Sequence, residues 1–372
     1  MKISILNDTS RTSNWGCAGT MNGLRGVLSG LCDTNQVNSV ELLPLPYRKI
    51  KLFRRHAVSR LASCLKDPNA APDVLSGALK SLNYELDASQ LPDRLYLNGE
   101  GDIHSRSGHL ARLLGIASLH KRLGACVCAV NQSVDLVPGS EAASLVKMTY
   151  PTFDYISVRE PCSLRLLEQI GVEHAELVPD AAFSLPPVTD EEVAVAAFEL
   201  QLPAQYVCLT GSSDLNARSA GKFLPVYESV RQVTGLPVVM LASTKTDKAL
   251  GKLLHDRNPE VRVITDTVDY RSVMAVIAGS QMLVGGRFHL AIFAALQGTP
   301  VVPFEGNTHK IKGLVELLAY PVGSIDWKEQ ELYPAQIRYV FENWTALGES
   351  LRVRSHYLAK QVRRLAAPEL PG

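Results

Sequence analysis

Met282-Leu283-Val284-Gly285-Gly286-Arg287-Phe288-His289-Leu290-Ala291-Ile292 runs from a short apolar strand, through two glycines, directly into a segment of helical period. A strand that turns at once into a helix is the repeating unit of a parallel α/β sheet. The same rhythm extends in both directions. In the second half, apolar strand runs fall at 206–210, 237–241, 261–264, 282–284 and 301–303, with helices expected at 222–234, 247–255, 269–278, 288–296 and 311–318. In the first half, strands are expected at 3–6, 40–43, 94–97, 126–130, 155–158 and 175–178. The stretch 110–123 between two of them puts Leu110, Leu113, Leu114 and Ala117 on one helical face, with Arg112 and Lys121 off it. The rhythm pauses at Pro179, Pro186 and Pro187 and resumes at Thr189-Asp190-Glu191-Glu192, a helix-start pattern. The expected fold is α/β, with two Rossmann-like doubly wound lobes around a cleft. The expected domains are 1–185, on the acceptor side, and 186–333, on the donor side. A last helix, from about Pro334 to Leu365 within 334–372, is expected to return to the N-terminal lobe.

The 372 residues carry 38 basic and 37 acidic side chains, a net charge of +1. That balance argues against a general nucleic-acid binder, so any anion site has to be local. The seven cysteines include no CxxC pair, so neither a disulfide framework nor a zinc site is suggested. Cys126 and Cys128 read as small core residues of a strand. No apolar stretch has the length of a membrane span or a signal segment, and the chain is expected in the cytoplasm. Two basic stretches, at 48–60 and 352–364, can rest on the inner face of an anionic membrane; solvated helix faces look the same.

In open α/β sheets ligands bind beyond the carboxyl ends of strands, so polar residues there carry the functional signal. At 285–289 the helix start favours an anion, the glycines permit close approach, and Arg287 can grip a phosphate or carboxylate with two N–H groups. His289 can donate to a phosphate oxygen or move a proton. The competing reading is a tight turn whose Arg287 and His289 face solvent or cap carbonyls. The next strand ends in Glu305-Gly306-Asn307-Thr308-His309-Lys310, where Asn307, Thr308 and Lys310 offer donors to the same ligand or simply cap a helix. In the first half, Asn98-Gly99-Glu100-Gly101-Asp102-Ile103-His104 reads as a glycine-flexed loop with a carboxylate and an imidazole for acid–base work. Ser157-Val158-Arg159-Glu160 ends another strand; Arg159 is a second cation for the ligand, or half of a structural ion pair. After the first strand come Asn7-Asp8-Thr9-Ser10 and Asn14-Trp15-Gly16-Cys17, without dinucleotide-binding spacing; Trp15 either stacks on a sugar or packs internally.

These segments, with Val178-Pro179-Asp180 and Gly298-Thr299-Pro300, occur in an order that resembles the polysaccharide pyruvyl transferase family over roughly the first 320 residues. Gly286-Arg287-Phe288-His289 with the later Asn307-Thr308-His309-Lys310 is the sharpest part. The resemblance implies a fold similar to GT-B glycosyltransferases, phosphoenolpyruvate as donor, and a sugar of a cell-surface polysaccharide or its lipid-linked precursor as acceptor. It implies that Arg159 and Arg287 hold the donor, completed by Gly286, the Phe288 and His289 backbone, Asn307, Thr308 and Lys310. His289 is then the expected acid and Glu100 or His104 the base, with Asn14, Trp15 and Asn98 on the acceptor. No metal and no cofactor beyond the co-substrate is expected. The segments 11–23 and 40–91 look individual to this chain, so acceptor identity does not carry over. Two other functions fit the same pattern. One is a nucleotide-sugar glycosyltransferase with a base pocket around Gly211-Ser212-Ser213; the other is a non-catalytic glycan-binding protein.

Overall fold

The computed structural model describes residues 1–31, 37–40, 42, 51–67, 70–105, 108–216 and 218–366, with the side chains of 51–55, 88 and 108 left aside. The chain divides into two compact units. The first comprises Met1–Asp8, Arg25–Asp180 and Arg363–Gly372; the second comprises Thr9–Leu24 and Ala181–Val362.

In chain order the first unit and the insert it sends to the second contain β1 (Ile3–Leu6), α1 (Trp15–Ser29), β2 (Val37–Ser39), α2 (Lys51–Lys66), α3 (Pro72–Lys80), β3 (Arg94–His104), α4 (Gly108–Arg122), β4 (Cys126–Asp135), α5 (Glu141–Thr149), β5 (Tyr155–Val158), α6 (Pro161–Gln169) and β6 (Glu176–Leu177). Its sheet is parallel throughout, in the order β2-β1-β3-β4-β5-β6. Consecutive strands on one side and a reversal between β1 and β3 make this a doubly wound sheet with its switch point at β1/β3. The core beneath it is a Leu-, Ile- and Val-rich cluster fed by α2, α3, α4 and α5. The edge strand expected at 40–43 lies at Val37–Ser39, extended by the Val40 N–H donating to the Ile5 carbonyl at 2.8 Å. Glu41 and Leu43 fall outside the described residues, as do parts of the basic stretch 48–60.

The second unit continues with α7 (Asp190–Glu199), β7 (Val207–Ser212), α8 (Leu224–Thr234), β8 (Val238–Ala242), α9 (Lys245–Arg257), β9 (Arg262–Thr265), α10 (Tyr270–Ala278), β10 (Leu283–Gly286), α11 (Phe288–Gln297), β11 (Val301–Pro303), α12 (Lys310–Leu317), α13 (Tyr333–Glu342) and α14 (Trp344–Gln361). Its sheet is also parallel, in the order β11-β10-β7-β8-β9. Counted from its first strand, that is the order 3-2-1-4-5, with the switch point between β7 and β10. β10, which leads into Arg287, therefore borders the place where such sheets bind ligands.

The proline-rich stretch that follows the first sheet in the chain is tied to the second unit. Arg271 donates to the carbonyls of Pro186 and Pro187 and forms an ion pair with Glu192. Thr189 and Glu192 close a capping box at the start of α7, which satisfies two backbone N–H groups that a helix start otherwise leaves open. The long last helix expected from the sequence is two helices. The Asn343 side chain donates to the Tyr339 carbonyl at 2.8 Å, closing α13, and α14 starts at the next residue. Both count with the second unit; the first unit takes up the chain only at Arg363. No helix among the described residues is long and apolar enough to cross a membrane.

Candidate active site

The carboxyl ends of β7, β8, β10 and β11 converge with the start of α1 on a cavity of about 90 Å³. Its lining includes Asn14, Gly16, Ser213, Ser243, Arg287, His289 and Lys310. Each is placed by an element start or end. Gly285 takes φ +145°, a conformation open to glycine, to turn the chain out of β10. Gly286 then lies under the next strand's exit, where a Cβ would stand 2.7 Å from the Phe304 carbonyl oxygen and 2.9 Å from Ser212 Oγ. The glycines that suggested room for a ligand thus also serve strand packing.

Arg287 is the residue before α11 and points across the sheet ends to the start of α9. Its Nη2 donates to Thr244 Oγ1 at 3.0 Å and to Asp247 Oδ1 at 2.8 Å. Asp247 is almost wholly buried, and its backbone N–H and second carboxylate oxygen both pair with the Thr244 hydroxyl. Thr244 and Asp247 therefore cap α9 and hold Arg287 with the same atoms. The Arg287 Nε is buried and finds no partner among the described residues, and neither does Thr308 Oγ1. A guanidinium held at one edge, with a buried N–H left over, is prepared to take an acceptor. The start of α11 adds the positive end of a helix dipole. Neither Thr244 nor Asp247 figured among the expected site residues. The signal was the sequence Thr244-Lys245-Thr246-Asp247 directly after a strand, a cap whose acid does double service.

His289 is half-buried, with its ring perpendicular to that of Phe288 at 5.3 Å between centroids. Its other face is pressed on α1: a Cβ on Gly16 would stand 2.3 Å from His289 Nδ1. Asn14 caps α1 by accepting from the N–H groups of Gly16 and Cys17 at 2.9 and 3.3 Å, which fixes that contact. At the other rim, Ser213 Oγ donates to Asn307 Oδ1 at 2.8 Å, and Ser212 Oγ donates to the Glu305 carbonyl at 2.7 Å. These bonds latch the β11 exit to the β7 exit and leave Lys310, at the start of α12, on the cavity.

The remaining expected residues are not in the lining of this cavity. Trp15 is a core residue of the second unit, its indole N–H donating to the Val268 carbonyl at 2.8 Å, so it presents no face for a sugar. Arg159 is 2% exposed and bonded to Asp180, itself 1% exposed, at 2.7 Å and to Ser133 at 2.9 Å. Arg159 thus forms an ion pair with Asp180. Glu160 caps α6. The stretch 98–104 is not a loop; β3 runs to His104 with an irregularity between Glu100 and Ile103. Asn98 is fully buried, donating to the Asn7 carbonyl and to Glu100 and accepting from Asn131 at 2.8 Å. Asn7 in turn donates to the Asn98 carbonyl and to Asp102, each at 2.9 Å. Asn7, Glu100 and Asn131 all have left-handed backbone, with φ +68°, +38° and +56°. Asn7 directly follows β1, and Glu100 and Asn131 lie at the register irregularities inside the neighbouring β3 and β4, so the unusual backbone is concentrated where these three strands adjoin. Glu100 is nearly buried there, and His104 is partly exposed.

Solved structures with the same fold cover almost the whole chain. They include Anabaena HepE in complex with UDP and glucose (TM-score 0.59, 12% identity, 97% of this chain and 95% of that one). A Rickettsia africae glycosyltransferase aligns with TM-score 0.57 and 11% identity, over 98% and 95%. UDP-GlcNAc 2-epimerase from Neisseria meningitidis, bound to UDP-GlcNAc, aligns with TM-score 0.56 and 12% identity, over 98% and 97%. The fold is thus the α/β fold of GT-B glycosyltransferases and epimerases. No curated protein sequence matches the chain. The family model for polysaccharide pyruvyl transferase matches residues 32–308, which begins after Asn14 and Gly16, takes in Arg287 and His289, and stops short of Lys310. That span is well over half of the chain, which therefore belongs to the polysaccharide pyruvyl transferase family and is a transferase.

Proposed function

We propose that the cavity at Arg287 binds an anionic end of phosphoenolpyruvate and that the enzyme moves its pyruvyl group onto two hydroxyls of a polysaccharide sugar, as a ketal. The observation that carries this reading is the clamped Arg287 with its unpartnered buried Nε, beside His289 and Lys310 on one small cavity. A space of about 90 Å³ suits one phosphate or carboxylate group.

The chemistry asks little more of these residues. His289, protonated, gives its proton to the methylene carbon of the donor, and C2 becomes an oxocarbenium-like centre. The first sugar hydroxyl bonds to C2 and returns a proton to His289. The bond from C2 to the phosphate oxygen breaks, the second hydroxyl closes the ketal, and its proton leaves on the phosphate. Arg287, Lys310 and the start of α11 stabilise the charge on that departing group.

A second reading has one observation behind it: the structures of like fold include proteins solved with UDP or UDP-GlcNAc. A nucleotide-sugar would then take the place of phosphoenolpyruvate. Thermal-shift titration separates the two, because a ligand at a hundred times its Kd stabilises by about 2.7 kcal/mol. Stabilisation by phosphoenolpyruvate, with phosphate release on adding candidate glycans, is the expected result. Stabilisation by UDP-sugars alone, or unchanged phosphate release from Arg287→Ala, would sink the proposal.

A further inference from the structure

A cavity of about 670 Å³ lies within the first unit alone. Its walls are the start of β1, the edge strand β2, the 83–92 segment that leads into β3, and the end of α4. Ligands that react on such sheets lie beyond the carboxyl ends of the strands, and this space is at the amino ends of β1 and β3. Three polar side chains of the lining are more than nine-tenths buried: Ser4 is 8% exposed, Tyr84 7% and His120 1%. The Ser4 and Tyr84 hydroxyls have no hydrogen-bond partner among the described residues. His120 Nδ1 lies 2.9 Å from the Ile116 carbonyl oxygen, which can only accept, so the ring proton sits on Nδ1 and Nε2 is left as an acceptor. Burial pushes the His120 imidazole below its ordinary 6.5, against the pull of that bond, and the ring stays neutral. Burial also raises the Tyr84 phenol far above its ordinary 10, against the charge of Arg112.

Buried polar groups without a protein partner are rare, and what completes them must carry hydrogen-bonding groups of its own. Water does so in a polar cavity. The hydroxyls of a ligand donate and accept as water does, and replace it group for group. The charges select against an anion. Lys2, exposed at the rim, is the one cation of the described lining, against Glu85 and Asp87. Both acids are already engaged, Glu85 with Lys80 at 2.7 Å and Asp87 with the N–H and hydroxyl of Ser89 at 2.9 and 2.7 Å, so they ask for no cation. At the mouth, the exposed carboxamides of Asn38, Asn83 and Gln90 add neutral donors and acceptors. The Tyr84 ring, 6.3 Å from that of His120, adds an apolar face. Neutral hydroxyls, amides and one ring match an uncharged polyol.

We propose that this cavity is a separate carbohydrate site, which holds an uncharged sugar through Ser4, Tyr84 and His120 at the end of the sheet where no reaction takes place. An acceptor is held where it reacts; a sugar held here is a foothold. The site stands apart from the donor reading, and its test contains no donor.

Saturation-transfer NMR titrations of the full chain use glucose, galactose, mannose and N-acetylglucosamine, the disaccharides lactose and maltose, and glucuronate, uridine and adenosine as comparators. The expected result is binding of a neutral sugar that Tyr84→Phe and Ser4→Ala each weaken on the order of fivefold, the worth of one hydrogen bond. That binding is expected to survive Arg287→Ala. Asn38→Trp, which fills the mouth from the exposed edge strand, is expected to abolish it, and it decides the matter should circular dichroism show Ser4→Ala or Tyr84→Phe unfolded. A disaccharide that binds at least as well as its monosaccharide marks a unit of a glycan chain as the ligand; monosaccharides that bind alone mark a free sugar. Binding by none of the neutral sugars overturns the site, as does binding that folded Tyr84→Phe and Asn38→Trp leave at the parental level. Glucuronate that binds as well as glucose, or a nucleoside that binds in place of the sugars, overturns the ligand class. Sugar binding lost in Arg287→Ala moves the sugar to the Arg287 cavity and overturns the proposal.

Discussion

Replacing Gly16 by alanine tests whether His289 acts from the position in which α1 holds it. The new Cβ would lie 2.3 Å from His289 Nδ1 and 2.6 Å from both Cβ and Cγ of that residue. Carbon contacts settle near 3.5–4.0 Å, so the imidazole must retreat by about 1 Å. Overpacking of this kind costs about 1–3 kcal/mol, a fraction of the roughly 5–15 kcal/mol of a domain, so the variant should stay folded. A catalytic group misplaced by about 1 Å loses on the order of 10²-fold in rate. The expected outcome of Gly16→Ala is therefore a large fall in phosphate release from phosphoenolpyruvate and a small fall in Tm. Gly26→Ala, exposed on the same helix with open space around the added carbon, serves as the control and should lower neither turnover nor Tm. A folded Gly16→Ala enzyme with parental turnover would refute the role given to His289.

Asp180→Ala leaves Arg159 charged, buried and short of its partner in the first unit. Breaking such a pair costs about 3–5 kcal/mol, so urea unfolding should show a greatly lowered midpoint, and Asp180→Ala together with Arg159→Met should recover part of it. Glu192 provides a pH test: its hydrogen bonds from Arg271 and from the Thr189 backbone lower its pKa from the ordinary 4.5 to about 2. The folded value lies below the unfolded one, so the stabilisation is present above about pH 4.5 and is lost as pH falls toward about 2. The Tm difference between the parent and Glu192→Gln should be constant at neutral pH and shrink through that window. Because Glu192 is more than a third exposed, solvent screens the pair and the difference should be small.

The second sheet was legible strand by strand, because all its parallel strands but the edge strand β9 are buried on both faces and read as apolar runs such as Val301-Val302 and Val238-Val239-Met240-Leu241. The turn at Arg287 was legible for the same reason, glycine punctuation between two strong signals. The first sheet was read short. β3 and β4 run on past Leu97 and Val130 through Asn98, Asn131, Gln132 and Ser133, polar residues that look like loop until their partners are known. Gln132, for example, donates to the Ser157 carbonyl at 2.9 Å and accepts from Tyr150 at 2.6 Å. Long-range pairing also hid the roles of single residues. Arg159 finds Asp180, Trp15 finds Val268 and Arg287 finds Asp247 across separations that no local pattern encodes.

The membership of Thr9–Leu24 in the second unit bears on how the chain comes off the ribosome. Domains form during synthesis roughly in the order they emerge. The first strand can pair early, but Trp15, Gly16 and Gly19 are made to meet Val268, His289 and Phe293, which emerge much later. Until then the start of α1 is an apolar segment without its destination, threaded out of one unit and waiting for another. A fragment beginning at Ala181 would inherit the opposite defect: a complete sheet whose His289 has nothing behind it. The two units can be told apart in the folded protein, yet neither can be made alone by cutting the chain once.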